Sequence, residues 1–184
     1  MSFAKIIQTT QGAWWKRILP VQAPYRWNLR RLKLGRVLEV GCGLGRNLAH
    51  LDGVGVEIDP ECVTIARSRG LTVYQPSELH AEPASFDSLL IAHVLEHLAP
   101  EDALELVRDY VPYVKGGGRI VLITPQEWNF RSHPTHINFV DFAQLCHIVG
   151  QLGLTVEKRY SFPFPRWAAN IFKYNEFVLI ASKP

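Results

Sequence analysis

A doubly wound α/β sheet is the fold class this sequence predicts, on three observations. From residue 36 onward, short apolar runs alternate with stretches of helical periodicity, the mark of βαβ units around a parallel sheet. A glycine-rich turn follows the first of those runs, where such a sheet opens its first crossover. The chain, at 184 residues, is long enough for one well-buried core and short for two domains of ordinary size. Hydrophobic residues make up 47% and charged residues 20%, and no apolar run approaches the roughly 20 residues of a membrane span.

The elements read in order. Arg36 to Val40 is a first strand, followed by the glycine turn and a helix through Leu51. Val54 to Glu57 is a second strand. Asp59 then caps a helix with Pro60 at its first position, and Gly70 suits its C-terminal end. Leu71 to Tyr74 is a third strand and Ser88 to Ala92 a buried fourth. The helix after Pro100 carries Ala103, Val107, Tyr110, Val111 and Val114 at helical spacing, with Gly116-Gly117-Gly118 expected to end it. Arg119 to Thr124 is a fifth strand. Asp141, with Gln144 three residues on, opens a helix closing at Gly153. Leu154 to Tyr160 and Glu176 to Ser182 are the last two strands. The span between them, which holds Pro163 and Pro165, is too short for a helical crossover, so the pair is expected to be antiparallel.

Charge is unevenly spread. Residues 1 to 38 hold eight Lys/Arg and no acid, leaving 12 Lys/Arg against 17 Asp/Glu in the rest of the chain. Trp14, Trp15, Tyr25 and Trp27 are interleaved with that basic charge, so residues 1–34 read as a basic, tryptophan-rich helical layer in front of a 35–184 domain. One reading sets this layer on a membrane surface or an anionic, ring-containing ligand. The other packs its tryptophans on the sheet and solvates its arginines. Three unpatterned cysteines, Cys42, Cys62 and Cys146, and the absence of a secretory signal pattern lead to the expectation of a reducing, cytoplasmic compartment.

The segment Glu39-Val40-Gly41-Cys42-Gly43-Leu44-Gly45 carries the strongest chemical signal. Gly41, Gly43 and Gly45 allow a sharp turn and a close approach of backbone to ligand. A dinucleotide fingerprint would read GxGxxG, and Arg46 stands where its third glycine belongs, which argues against NAD. Glu39 is an acid inside an apolar strand, costly unless a cationic or hydrogen-bonding group meets it. Glu57, at the end of the second strand and followed by Ile58, is placed to accept from both hydroxyls of a ribose.

The segments VLEVGCGLGRNLAHL, GVGVEIDPE, SFDSLLIAHVLEHL and VKGGGRIVLITP resemble, in order and spacing, the motifs of class I S-adenosylmethionine (SAM)-dependent methyltransferases, closest to their type 11 small-molecule group. The resemblance covers roughly residues 35 to 155. It implies a Rossmann-like sheet of seven strands ordered 3-2-1-4-5-7-6, the last antiparallel, with helices on both faces. It implies SAM as cofactor, with Glu39, Gly41, Gly43 and Gly45 around the methionine moiety, and Glu57 and Ile58 at the ribose side. Many relatives carry Gly-Asp after the third strand, where the acid contacts adenine. Here Gln75-Pro76-Ser77-Glu78-Leu79 stands instead, and Ser77 or Glu78 is the substitute.

Methyl transfer from a sulfonium needs alignment and, for a hydroxyl acceptor, removal of a proton. His93, directly after the fourth strand, is the candidate base, with His97 and His136 as further catalytic candidates; the alternative makes His93 a plain lining residue of the cofactor pocket. His93-Val-Leu-Glu96-His97 also spells the H-x-x-E-H of inverted zinc proteases, a reading its place after a strand removes. It is similar to the Glu-x-x-Glu-His of small-RNA 2′-O-methyltransferases and ubiquinone-pathway O-methyltransferases, which hold a divalent ion. On that resemblance His93, Glu96, His97 and His136 form an alternative metal set favouring Zn²⁺, Mn²⁺ or Fe²⁺ over Mg²⁺. The preferred reading has no metal, since the same Leu-Glu-His occurs in metal-free relatives.

The acceptor side is expected from the basic front, Gln126 to Phe139 and Phe162 to Lys173, with Trp128, Phe130, Phe139, Phe164 and Trp167 for a ring, sugar or lipid-linked acceptor and Arg131 and Arg166 for an anionic group. No Asn/Asp-Pro-Pro-Tyr follows the fourth strand, which tilts the reading to O-methylation of a small-molecule acceptor. An RNA methyltransferase and a non-catalytic SAM-fold module, membrane-peripheral through the N-terminus, are the alternatives.

Overall fold

The computed structural model describes residues 22–184, so Trp14 and Trp15 lie outside the described residues. The chain divides into two compact units, Met1–His80 and Ala81–Pro184. In the first are α1 (Ala23–Arg31), β1 (Arg36–Val40), β2 (Asp52–Val56), α2 (Pro60–Ser68) and β3 (Val73–Tyr74). The second holds β4 (Phe86–Ala92), α3 (Pro100–Tyr110), β5 (Val114–Pro125), α4 (Glu127–Arg131), α5 (Phe142–Gln151), β6 (Thr155–Phe162) and β7 (Glu176–Ser182). The seven strands form one sheet ordered β3-β2-β1-β4-β5-β7-β6, as the family resemblance implies.

In the first unit β1 runs parallel to β2, and β2 to β3. All of β1 after Arg36 is buried, so its apolar run is continuous rather than alternating, as for a strand covered on both faces. Asp59 caps α2 as expected: its Oδ1 accepts from the backbone N–H of Glu61 (2.8 Å) and Cys62 (3.2 Å). The helix ends with Gly70 N–H donating to Arg67 O (2.9 Å) and Leu71 N–H to Ala66 O (3.3 Å), the paired bonds of a Schellman stop. Cys62, Val63 and Ala66 form the buried face of α2.

Two expectations for this unit change. The helix after the glycine turn shrinks to a 3₁₀ turn, Leu48–His50. One α-type bond, Ala49 N–H to Gly45 O (3.0 Å), gives way to i−3 bonds at His50 and Leu51, because β2 already begins at Asp52. Of the two readings of the tryptophan layer, inward packing does not hold at Trp27. It is 58% exposed, with the Arg31 guanidinium 4.7 Å over its ring, while Asn28 and Leu29 form the buried face of α1.

In the second unit β4 and β5 are parallel, and β7 runs antiparallel to both β5 and β6, confirming the expected antiparallel pair. Helix α3 buries Ala103, Val107 and Tyr110, but ends at Tyr110. A 3₁₀ turn containing Pro112 follows, and Gly116-Gly117-Gly118 lies inside β5 rather than capping the helix. There the register jumps from Phe86↔Val114 to Ser88↔Arg119, so the glycines form a wide bulge. Asp141 caps α5, accepting from Ala143 N–H (2.9 Å) and Gln144 N–H (3.0 Å), and Leu145, Ile148 and Val149 are its buried face. Among the described residues no helix is long and apolar enough to cross a membrane.

Gly53 in β2 faces Val37 in β1 so closely that a Cβ would sit 2.0 Å from the Val37 carbonyl oxygen. Backbone cannot yield there as a side chain would, so Gly53→Ala should destabilise by about 3 kcal/mol. Gly150, in α5, has nothing within 4 Å of an added Cβ, and Gly150→Ala should stabilise by about 0.5–1 kcal/mol through helix propensity. Urea midpoints of the two variants check both signs.

Candidate cofactor and acceptor sites

The glycine turn is built from three left-handed residues, with φ of 72° at Gly41, 53° at Gly43 and 77° at Gly45, angles at which a Cβ is strained. Its start is tied to β2, since Val56 O accepts from Gly41 N–H (2.8 Å) and Cys42 N–H (3.2 Å). Its apex is tied by Glu57, whose Oε2 accepts from Gly43 N–H at 2.7 Å while Oε1 accepts from Asp59 N–H at 3.0 Å. Glu57 is buried at 6% exposure, so its carboxylate is a bridge between two loops and keeps lone pairs beyond the two bonds it makes. Ile58, next to it, is 80% exposed.

Glu39 is buried at 2% exposure. Its Oε1 accepts from Asn47 Nδ2 at 2.8 Å, and its Oε2 has no hydrogen-bond partner. Burial pushes its carboxyl up to about 7, against the smaller opposing effects of Asn47, Arg46 and Leu48 N–H. Beyond the turn, Ser77 is exposed in a 3₁₀ turn, Pro76–Glu78. Glu78 is engaged within the fold: Oε2 accepts from Arg67 (2.6 Å) and from Gln75 N–H (2.9 Å).

In the second unit β4 ends at Ala92, and His93 donates its N–H to Ile123 O (2.9 Å) and turns left-handed at φ 60°. A non-glycine residue there holds backbone strain of about 1–3 kcal/mol, sustained only if its surroundings fix it. Two carboxylates do so. His93 Nε2 lies 2.8 Å from Glu176 Oε1, and Nδ1 lies 3.3 Å from Glu96 Oε1. Burial alone would lower the ring's pKa, but the Glu176 and Glu96 contacts outweigh it and raise it to about 10. In this structure both ring nitrogens face carboxylates, an arrangement that favours the protonated ring over a free imidazole base.

The four-residue metal set is brought together only in part. Glu96, His97 and His136 place one ligand atom each within 4.8 Å of one another, and His93 is outside that group, turned to Glu176. On the acceptor side, Phe130 stacks on His136 (5.6 Å between centroids) and meets Phe139 edge-on at 5.1 Å. Trp128, Phe164 and Trp167 are exposed. Arg166, expected to hold an anionic group, is already paired with Glu127 through both guanidinium nitrogens.

Asn175 fastens the loop after β6. Its Oδ1 accepts from Phe164 N–H (3.0 Å), and its Nδ2 donates to Phe164 O (3.1 Å) and Gln126 Oε1 (2.9 Å). Glu176, Asn175 and Asn47 were missed by sequence reasoning. For Glu176 the signal was present, an acid opening an apolar strand, the same pattern that marks Glu39.

Because the Glu39 pKa is raised, its neutral form supports the fold below about 4.5, and that support is lost as pH rises through about 7. Glu39→Gln, which keeps an oxygen for Asn47, should match the wild type at pH 5 and exceed it at pH 8. The ceiling is about 3 kcal/mol, each worth about 2–4 °C in Tm for a chain of this size. Thermal melts at the two pH values test this, and equal shifts at both would refute it.

Comparison with known proteins identifies the family. A family model described as a methyltransferase domain matches residues 15–159. No curated protein matches the sequence. A SAM-dependent methyltransferase from Archaeoglobus fulgidus aligns over 99% of this chain and 100% of its own, at 19% identity and a TM-score of 0.69. One from Mesorhizobium loti aligns over 86% and 97%, at 16% identity and 0.62. One from Thermotoga maritima, described as a possible histamine N-methyltransferase, aligns over 82% and 83%, at 21% identity and 0.62. The chain belongs to the methyltransferase-domain family and has the fold of the class I SAM-dependent methyltransferases.

Proposed function

We propose that this protein is an enzyme that uses SAM to methylate a hydroxyl on a small-molecule, sugar or lipid-linked acceptor. The observation that carries the cofactor reading is the unpartnered, buried Oε2 of Glu39 beside three left-handed glycines. A buried carboxylate oxygen without a donor is costly, and the α-ammonium of SAM is a donor of matching charge. Gly41, Gly43 and Gly45 keep the backbone open to the methionine moiety, and the remaining lone pairs of Glu57 take ribose hydroxyls. Ile58 offers exposed apolar surface next to Glu57, at the ribose side. With Glu78 held by Arg67, Ser77 is the better adenine contact of the two. SAM supplies a methyl group already activated on a sulfonium.

On the acceptor side His93 is the residue we assign to the reacting hydroxyl, oriented by Glu176 and Glu96. Its ring, fixed by the two carboxylates, shapes the wall against which the acceptor lies, and alignment supplies most of the rate. A second reading, an RNA acceptor, draws on one observation: α1 presents exposed Trp27 stacked under Arg31, with Arg30 beside it. Base stacking and phosphate contacts use that combination. Acceptor binding by RNA would weaken steeply as salt rises, whereas a neutral small acceptor would show little dependence.

Calorimetric titration should show SAM binding and no NADH binding. Glu39→Gln should weaken SAM by about 10- to 100-fold while leaving the protein folded, since a charge-assisted bond is worth about 1.5–3 kcal/mol. NADH binding in place of SAM would refute the cofactor assignment. In transfer of labelled methyl to a panel of hydroxyl and amine acceptors, His93→Gln should lower kcat on the order of 100-fold with SAM affinity unchanged. Labelling of amines alone would overturn O-methylation.

A further inference from the structure

We propose that Glu96, His97 and His136 form a binding site for one divalent transition-metal ion of the zinc class. Four observations in the second unit carry it, none of which uses the methyl-transfer reading.

The first is Glu96 itself. Its side chain is fully buried; Oε1 is ion-paired with His93 Nδ1 at 3.3 Å and lies 4.0 Å from His136 Nε2, while Oε2 has no partner. Buried carboxylates are retained when paired or coordinated to a metal. The second is the state of the two imidazoles. His97 Nδ1 lies 3.1 Å from Thr135 O, and His136 Nδ1 lies 3.1 Å from Phe130 O. A carbonyl only accepts, so in each ring Nδ1 carries the proton and a neutral ring leaves its Nε2 lone pair free. That is how metal-ligating histidines are held, the second nitrogen donating to a backbone carbonyl.

The third observation is that the two segments bearing the ligands are already joined. Glu96 O accepts from Ile137 N–H (2.9 Å) and Asn138 N–H (3.2 Å), which locks the 3₁₀ turn Leu95–His97 to the stretch containing His136. The fourth is spacing. The three ligand atoms lie within 4.8 Å of one another. An ion about 2.1 Å from each in tetrahedral geometry needs ligand atoms about 3.4 Å apart, so side-chain rotations that close up to about 1.4 Å complete the site.

Two imidazoles and one carboxylate suit Zn²⁺, Fe²⁺ or Mn²⁺ far better than Mg²⁺ or Ca²⁺, which prefer all-oxygen shells. Three protein ligands leave one position for water or another ligand. His136 and Glu96 have side chains 6% and 0% exposed, so that position opens on the side of the half-buried His97.

The test uses the full chain without a histidine tag, dialysed against chelator and then titrated with ZnCl₂ and, separately, MgCl₂. The expected result is one equivalent of Zn²⁺ bound at least about 100-fold tighter than Mg²⁺. Glu96→Gln and His97→Ala should each weaken zinc by at least about 100-fold, beyond the 10- to 100-fold that outer partners cost. His133, whose ring stacks on His136 at 4.8 Å between centroids, is the control: His133→Ala should bind zinc within about threefold of wild type. Glu96→Gln keeps the shape of the buried side chain, so it answers the question even if a histidine variant fails to fold. No zinc uptake, or uptake unchanged in Glu96→Gln and His97→Ala, would overturn the proposal. SAM titration of the same samples separates a failure here from a failure of the cofactor assignment.

Discussion

Placing an ionisable carboxyl group where water cannot reach it is among the costlier things a fold can do, and this chain does so at Glu39, Glu57, Glu96 and Glu176. Each acid organises the backbone around it. Glu57 satisfies two loop N–H groups and so sets the shape of the glycine turn. Glu176 and Glu96 grip the two ring nitrogens of His93 and hold its left-handed backbone in place. What differs among the four is how completely each is answered from within the protein. Glu57 has both oxygens bonded, whereas Glu39 and Glu96 each keep one oxygen, Oε2, without a partner. Incomplete satisfaction of a buried acid points to a ligand, and among these four acids Glu39 and Glu96 are where binding is proposed.

The fold by itself leaves the reaction open. One doubly wound architecture hosts many chemistries, and solved structures 16% to 21% identical share the fold without naming the acceptor of this chain. The acceptor reading rests on local groups: the clamped His93, the exposed aromatics and the loop fastened by Asn175. The pairing of Arg166 with Glu127 shows why residue type alone misleads on a surface loop, since a cation that suits an anionic ligand also suits a neighbouring acid.

Much of the architecture was legible because it follows from local periodicity and capping chemistry. Strands β1 and β7, the Asp59 and Asp141 caps and the antiparallel final pair all follow from apolar runs, proline positions and short spacing. The misjudged pieces depend on what comes next in space. The glycine run in β5 looks like a helix stop until its partner β4 draws it into a bulge. The helix after Gly45 looks longer until β2 claims Asp52.

By itself the sequence determined the strand positions, the glycine turn and the acids beside it, because periodicity, glycine spacing and an acid in an apolar strand are local signals, while the strand order followed from the family resemblance. Only the tertiary structure decided which acid meets which partner. Glu176 reaches His93 across 83 positions of the chain, and Thr135 and Phe130 supply the carbonyls that set two imidazoles. Those pairings arise from β7 lying beside β5 and from the hydrogen bonds that Ile137 and Asn138 make to Glu96, contacts between distant residues that no spacing in the sequence encodes.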